Sequence, residues 1–415
     1  MFEKRFKSHH DVKSIIGAKF KAAKRMVTPD ETKALFDSVP KDETGILYVH
    51  TPYCDKICSF CNLNRKQLDN DLEEYTNFLI SEFEKYGATN YMKHKKLEVV
   101  YFGGGTPTIF KAEQLKRILE SINKNFTLKD NCEFTFETTL HNLSDEKLEV
   151  MEALGVNRLS IGVQTFSSRG RQILNRTYDK ETVVNRIREV KSKFKGLVCV
   201  DIIYNYPDQT PEEVKEDAEI VHSLDIDSSS FYSLMIHEGS KMSKDIKEDV
   251  FHLDYKLEID KELHNTFMNT LLDTGEYEIL EITKINKIGR DKYKYITLSN
   301  KGTDILPVGL GAGGRLGNFE MFRMNYERQF FSYSSDEEQK IKDLSGLFQY
   351  PKVYFEDIKK YVSNTTFTKI YELMEDLKKR ELMNINNDHI ELKGDGLFWG
   401  NTIGREVISI SLEEE

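Results

Sequence analysis

Six short apolar runs recur between residues 45 and 236, each separated from the next by a longer amphipathic stretch. They fall at 46–50, 97–102, 132–138, 158–164, 197–204 and 229–235, are rich in Val, Ile, Phe and Tyr, and have the length of strands. The stretches between them, at 72–86, 113–123, 145–154, 180–193 and 211–224, carry helical spacing. Ser144 with Glu146 and Lys147 beyond it, and Thr210-Pro211-Glu212, read as helix N-termini. Strands alternating with helices pair in parallel through right-handed crossovers. The pattern therefore predicts an α/β fold of six βα units, an open sheet or partial barrel. In both, ligands sit at the C-terminal ends of the strands, where the loops emerge.

The 415 residues suggest two to three domains at roughly 150 residues each. With 39% hydrophobic and 31% charged residues the chain reads as soluble and globular rather than disordered or collagen-like. A net charge of −10 argues against a nucleic-acid or anionic-membrane binder, which wants clustered cations. The start, MFEKRFKSHHDVKS, lacks the apolar core of a signal peptide, and no apolar run approaches the ~20 residues of a membrane span. The expectation is a cytoplasmic protein.

After residue 237 the pattern changes. A long helix is expected over 252–272, strands over 277–283, 293–297 and 305–310, then a glycine-rich stretch at 309–317. An α-rich tail follows from about 340, ending in short strands at 389–392 and 407–410, which suggests a winged-helix-like module. The expected division is 1–44 as an N-terminal extension, 45–240 as the core, 241–335 as a substrate-side α+β extension, and 336–415 as the winged-helix-like C-terminal domain.

Three of the five cysteines fall within Cys54-Asp-Lys-Ile-Cys58-Ser-Phe-Cys61, in the loop after the first strand. Cys132 and Cys199 lie in strands and read as core. Zinc would need His50 or water as a fourth ligand. An iron–sulfur cubane, normally held by four thiolates, would here keep one iron open, where an amino and a carboxylate group can chelate. Tyr101-Phe-Gly103-Gly104-Gly105-Thr106-Pro107-Thr108 ends the second strand, where missing Cβ atoms serve a turn or admit a ligand. Glu137 ends the third strand, as a helix cap or a ligand contact. Asp201 sits inside an apolar strand, which is costly unless it is paired, for example with Arg176, or binds a ligand.

The CxxxCxxC spacing in this position resembles the radical S-adenosylmethionine (SAM) superfamily. Four blocks in order, YVHTPYCDKICSFC, YFGGGTPT, RLSIGVQTF and VDIIYNYPDQT, resemble the oxygen-independent coproporphyrinogen III oxidase family, which includes heme chaperones and heme-degrading anaerobilin synthases. The resemblance covers about 45–320 and extends loosely to LKGDGLFW near the end. It implies a partial (βα)6 radical SAM barrel and a [4Fe-4S] cluster on Cys54, Cys58 and Cys61. It implies that Tyr48, Gly104 and Glu137 contact the cluster-bound SAM, and that Phe60, Gly105, Thr106, Gln164, Arg176 and Asp201 hold a second SAM.

Departures from the oxidase matter. Leu63 stands where the oxidase has a further cysteine, its Tyr- and Pro-rich segment is missing from 1–44, and GLGAGGRLG carries Arg315 in place of an apolar residue. These features set the chain apart from the oxidase. The Gly-Ala-Gly-Gly stretch and the Phe-Trp near the end look more like the anaerobilin synthase branch, a methyltransferase type that opens heme without oxygen, transfers a SAM-derived one-carbon unit and releases iron. A chaperone that transfers intact heme and the oxidase itself are the alternatives. The implied partners are heme or a related tetrapyrrole and a one-electron donor such as flavodoxin or ferredoxin. Residues 309–317 would line the porphyrin side. Arg315, Arg290 and Lys292 are candidates for a heme propionate, or plain surface cations. His237 is a candidate heme or proton-transfer residue, and Tyr293 and Tyr295 candidates to face the macrocycle. His50 reads as site-shaping, and His9-His10 as a solvated pair.

Overall fold

The computed structural model of the chain describes residues 2–61, 66–68 and 72–413. After a first helix, α1 (His9–Phe20), six strands lie side by side in chain order: β1 (Thr44–Thr51), β2 (Lys96–Gly104), β3 (Thr127–Thr138), β4 (Arg158–Gln164), β5 (Leu197–Tyr204) and β6 (Ser228–Ser233). Every neighbouring pair is parallel. Helices α2 (Glu73–Gly87), α3 (Ala112–Asn125), α4 (Asp145–Ala153), α5 (Lys180–Lys193) and α6 (Pro211–Ser223) fill the crossovers. Side chains alternate along each strand. Leu47, Val49, Val100, Phe102, Phe136, Ile161 and Val200 join the helix-side core, while Tyr48, Tyr101, Glu137, Ser160 and Asp201 turn to the lumen.

The sheet continues past both edges. After α7 (Leu257–Leu272), β7 (Tyr277–Glu281) and β8 (Lys284–Lys287) add antiparallel beyond β6. Next to β1 lies β9 (Asp304–Val308), parallel to it, followed by the antiparallel β10 (Gly313–Leu316), β11 (Phe319–Arg323) and β12 (Gln329–Tyr333). The result is an α/β fold with a mostly parallel sheet, a partial barrel with a C-terminal extension.

Between β8 and β9 the expected strand at 293–297 is instead a helix, α8 (Lys294–Asn300). The reason lies far away in the chain. Glu133 of β3 accepts from the N–H groups of Lys294 (2.7 Å) and Tyr295 (3.1 Å), answering donors that a helix start leaves open. Asp291 accepts from the N–H of Tyr293 at 2.9 Å. Asp291 is itself held by Arg158, Nη2 at 2.9 Å and Nε at 3.2 Å, and both side chains are fully buried. Burial opposes the Asp291 charge, but Arg158 outweighs it and keeps the carboxyl well below its ordinary range. This segment closes the N-terminal end of the barrel.

The C-terminal region packs α9 (Asp336–Leu347) and α10 (Asn364–Lys379) beside a three-stranded antiparallel sheet, β13 (Lys352–Tyr354), β14 (Met383–Ile385) and β15 (His389–Leu392). The expected strand at 407–410 lies within α11 (Gly400–Glu413), whose Ile403, Val407 and Ile408 are buried at helical spacing. The helix expected from 252 begins at Leu257. Val12, Ile16 and Phe20 of α1 share one core with Leu344, Ile370, Trp399 and Val407, so the N-terminal extension is built into the C-terminal module.

Candidate active site

The C-terminal ends of β1 and β2 fix the cysteine loop. The Gly105 N–H donates to Thr51 O at 2.6 Å and the Thr106 N–H to Tyr53 O at 2.9 Å, stitching the two strand ends together. Gly104 has φ +109°, and a Cβ there would sit 2.6 Å from the His50 ring; one on Gly105 would sit 2.5 Å from Tyr53 O. Only glycine permits this approach.

All three cysteines of the loop are free thiols. Thr106 Oγ1 lies 3.5 Å from Cys54 Sγ, and Arg176 Nη1 lies 2.8 Å from Cys58 Sγ. Burial pushes the Cys54 thiol up, and the neighbouring Cys58 and Cys61 add to that against the Thr106 bond. Such crowding of like groups is relieved when a cationic metal centre takes the thiolates. Among the described residues no three His, Cys, Asp or Glu side chains converge where a single ion could be held. Three thiols on one loop leave a single zinc short of its fourth ligand, whereas a cluster held by three thiolates would suit them.

Beside the thiols stands Glu137. Tyr101 OH donates to its Oε1 at 2.8 Å and the Gly104 N–H to its Oε2 at 3.0 Å. Burial pushes its carboxyl up to about 7, against the Tyr101 bond and with help from the charge of Asp201. A carboxyl so placed gains most from an ammonium group brought next to it.

The opposite wall is formed by Phe60, Gln164, Arg176 and Asp201, which line the same pocket as Cys54, Cys58, Cys61, Gly104, Gly105, Thr106 and Glu137. Gln164 sits at a bulge after Gly162 with φ 73°, a left-handed conformation costly for this residue type. No ion pair joins Arg176 to Asp201. Arg176 instead turns to Cys58 and to Gly162 O, and Asp201 accepts from Ser160 Oγ at 3.2 Å. The lumen-facing Asp201 is thus tied to strand β4 by one hydroxyl rather than neutralised by a cation.

Not every expected residue reaches this pocket. Tyr48 lies a layer beneath it, sharing a hydrogen bond of 2.9 Å with His50 Nδ1 and stacked near Tyr101 and Tyr295. Tyr295 stacks on Tyr101 with centroids 4.2 Å apart, while Tyr293 lies against Arg158 in the barrel floor. Arg290 is engaged with Asp225 and Asp227, both at 2.9 Å, and exposed Lys292 is beside it in the floor segment, so neither faces the pocket. Arg315 pairs with Asp343 at 3.1 Å in a separate cavity. Within 309–317, Gly309 packs against His50 O and Tyr75 rather than a ligand, and only Gly314 and Arg315 line that cavity. His237 lies beyond β6, outside the cysteine pocket and beside His10. His9 and His10 open α1; His10 is exposed as expected, whereas His9 is half-buried, and burial, then Lys13, pushes its imidazole down to about 3. Leu63 lies outside the described residues.

The pocket also holds residues that pattern reading passed over. Asp55 Oδ2 lies 2.6 Å from His141 Nε2, and Asn142 Nδ2 donates to Asp55 Oδ1 at 3.1 Å. Burial works against the Asp55 charge, yet these bonds outweigh it and hold the carboxyl below its ordinary value. His141, four residues past Glu137 on the same strand-end loop, is the signal that was available.

Residues 48–221 match the model of the Radical SAM superfamily. The chain is similar to an anaerobilin synthase from Escherichia coli O157:H7, 26% identical over 66% of this chain and 61% of the relative. It is similar to heme chaperone HemW from Lactococcus lactis, 29% identical over 65% of this chain and 69% of the relative. The chain thus spans under two thirds of the synthase's length. Coproporphyrinogen III oxidase (HemN) from Escherichia coli, a radical SAM enzyme, superposes with a TM-score of 0.77 over 94% of both chains at 18% identity, which shows the fold. The match to the Radical SAM superfamily model thus covers residues 48–221, and over the rest of its length the chain is similar to HemN in fold. No helix among the described residues is long and apolar enough to cross a membrane.

Proposed function

We propose that this protein acts on heme, opening the porphyrin ring without oxygen, transferring a SAM-derived one-carbon unit and releasing iron. What carries the reading is the gathering in one pocket of three thiols, Glu137 and a second polar wall of Gln164, Arg176 and Asp201. The first set suits one SAM at a cluster on Cys54, Cys58 and Cys61, and the second set a further SAM. When bound, the cluster would supply the electron, drawn from a donor such as flavodoxin or ferredoxin, that cleaves SAM reductively. Glu137 accepts the ammonium of the bound SAM beside the Gly104 N–H. Arg176 places a cation against the Cys58 sulfur, and Thr106 donates to Cys54. Tyr48, Tyr101 and Tyr295 form an aromatic layer beneath, which keeps the reacting space apart from the barrel floor.

The test is anaerobic: reconstitute the cluster, add SAM, heme and reductant, and follow the Soret band together with 5′-deoxyadenosine. Loss of the Soret band with a linear-tetrapyrrole spectrum, abolished in Cys58→Ala, is the expected result. A second reading, a heme chaperone that binds and transfers intact heme, is supported by the comparable similarity to the chaperones. It predicts a bound, unchanged Soret band. If heme does not bind, coproporphyrinogen III is the next substrate, as for the oxidase.

A further inference from the structure

A second cavity, about 440 Å³, opens on the concave side of the sheet between α1, α8, α9 and the inner faces of β9–β12. Its volume is that of a ligand pocket, ~300–1,000 Å³. Strand register places it relative to the cysteine pocket. Ile305 in its wall is level with Ile46, whereas Gly104 is level with Thr51, five residues farther along β1. At ~3.3 Å per residue that is about 16 Å. Half-buried Tyr48 and Tyr295 stand between the two levels, and Ile296, next to Tyr295, lines the cavity.

Two features of the walls point to a ligand. Phe322 and Phe330, paired across β11 and β12, face the cavity and remain 44% and 42% exposed. Exposed aromatics paired on an inner face are unfinished packing. Three cations, Lys13, Arg315 and Lys342, also line the space. Arg315 is answered by Asp343 at 3.1 Å, and Lys342 by Glu338 at 2.7 Å and by Glu320. Lys13 has no hydrogen bond or ion pair among the described residues. It is exposed to the cavity yet ringed by protein, so that burial, then Arg315 and Lys342, disfavour its charge more than Glu281 across the space supports it. An incoming carboxylate would supply the missing counter-charge.

We propose that this cavity receives the carboxylate-bearing edge of a planar, largely apolar ligand, with Lys13 as the anion contact and Phe322 and Phe330 as the apolar support. Resting on the heme reading, the ligand is the tetrapyrrole itself, its propionates at Lys13 and its ring against Phe322 and Phe330, below the tyrosine layer. Helix α1 thereby becomes part of the substrate site, and Arg315 acts through its neighbours rather than as the sole propionate partner.

The test compares binding of hemin and of hemin dimethyl ester, whose carboxylates are masked, to the cluster-loaded full chain by absorbance titration. The wild type should bind the diacid about tenfold or more tighter than the ester, the scale of one charge-assisted hydrogen bond. Lys13→Met should lose that preference while its affinity for the ester stays the same, and Lys13→Arg should retain it. Lys13 is exposed on a helix, so both variants should keep the wild-type circular dichroism. Equal binding of diacid and ester by the wild type, or an undiminished preference in Lys13→Met, would overturn the cavity assignment and leave heme as the substrate. Failure to bind either porphyrin would overturn both.

Discussion

At the N-terminal end of the barrel, Arg158 and Asp291 are wholly buried and answer each other, with Ser228 Oγ adding a bond to Asp291 at 2.5 Å and the Tyr293 ring lying 4.4 Å from the guanidinium. At the C-terminal end, strands β3, β4 and β5 carry Glu137, Gln164 and Asp201, the loop beyond β4 adds Arg176, and each is turned toward space and held by few protein partners. Strand β4 contributes to both ends, starting at Arg158 and finishing at Gln164. Buried charge by itself therefore does not mark function in this fold. What separates the ends is whether the protein itself supplies the counter-charge, as Asp291 does for Arg158, or leaves it for a ligand.

Substitutions at the two ends should fail in different ways. Cys58→Ala should eliminate the iron–sulfur absorption band and all SAM cleavage, yet leave the urea midpoint of the metal-free chain within about 1 kcal/mol of wild type. Asp291→Ala should do the reverse, costing about 3–5 kcal/mol by leaving Arg158 buried and unpaired. The further change Arg158→Met should recover part of that loss. A urea melt showing less than about 1 kcal/mol for Asp291→Ala would mean that the floor pair does not hold the barrel shut.

Gly104→Ala bridges the two behaviours. Its left-handed φ and the His50 ring 2.6 Å away should cost about 2 kcal/mol and displace the cysteine loop, measured as reduced iron content after reconstitution. Retention of full iron loading would show that the loop tolerates a Cβ there.

Glu137→Gln gives a small stability change with a definite sign. The folded carboxyl titrates near 7 rather than 4.5, so between those values the native state holds a proton that the unfolded state has released. Stability of the ligand-free wild type should accordingly fall as pH rises through that window, by about 1 kcal/mol after allowing for lumen water, and this fall should shrink in Glu137→Gln. SAM affinity should rise with pH toward 7 in the wild type and stay flat in the variant. Identical melts and binding profiles for the two proteins from pH 4.5 to 8 would remove Glu137 from the ammonium site.

Much of this was legible from residues alone, for a physical reason. The barrel strands are continuous apolar runs because their helix-side faces are packed, and the cysteine spacing and glycine run fall within single loops. Local pattern failed where a partner distant in sequence decides. The segment 293–297 is rich in aromatic and β-branched residues and reads as a strand, but Glu133, 161 residues before Lys294, sets its helical start. The Val407-Ile408 pair reads as strand until a core from α1, α9 and α10 claims one side of it. Arg176 looked like a partner for Asp201 because charge can be read from sequence, whereas its approach to Cys58 requires two loops to fold together. The second cavity draws Lys13, Glu281, Arg315 and Lys342 from four separate segments, and no spacing rule joins them.

The shared core of α1 with the C-terminal helices has a consequence in time. Arg5 donates to Phe398 O, 393 residues later, and to Asp260 at 2.8 Å. At ~5–20 residues per second on the ribosome, that first contact waits about 20–80 s for its partner to emerge. Contacts of such long sequence separation also form late in folding, because a large loop must close before they are rewarded. During synthesis the barrel strands are all available well before α1 has a surface to dock on. The wall that carries Lys13 is thus the last to be set in place, and the nascent protein passes through a stage in which its lumen stands open to the cell.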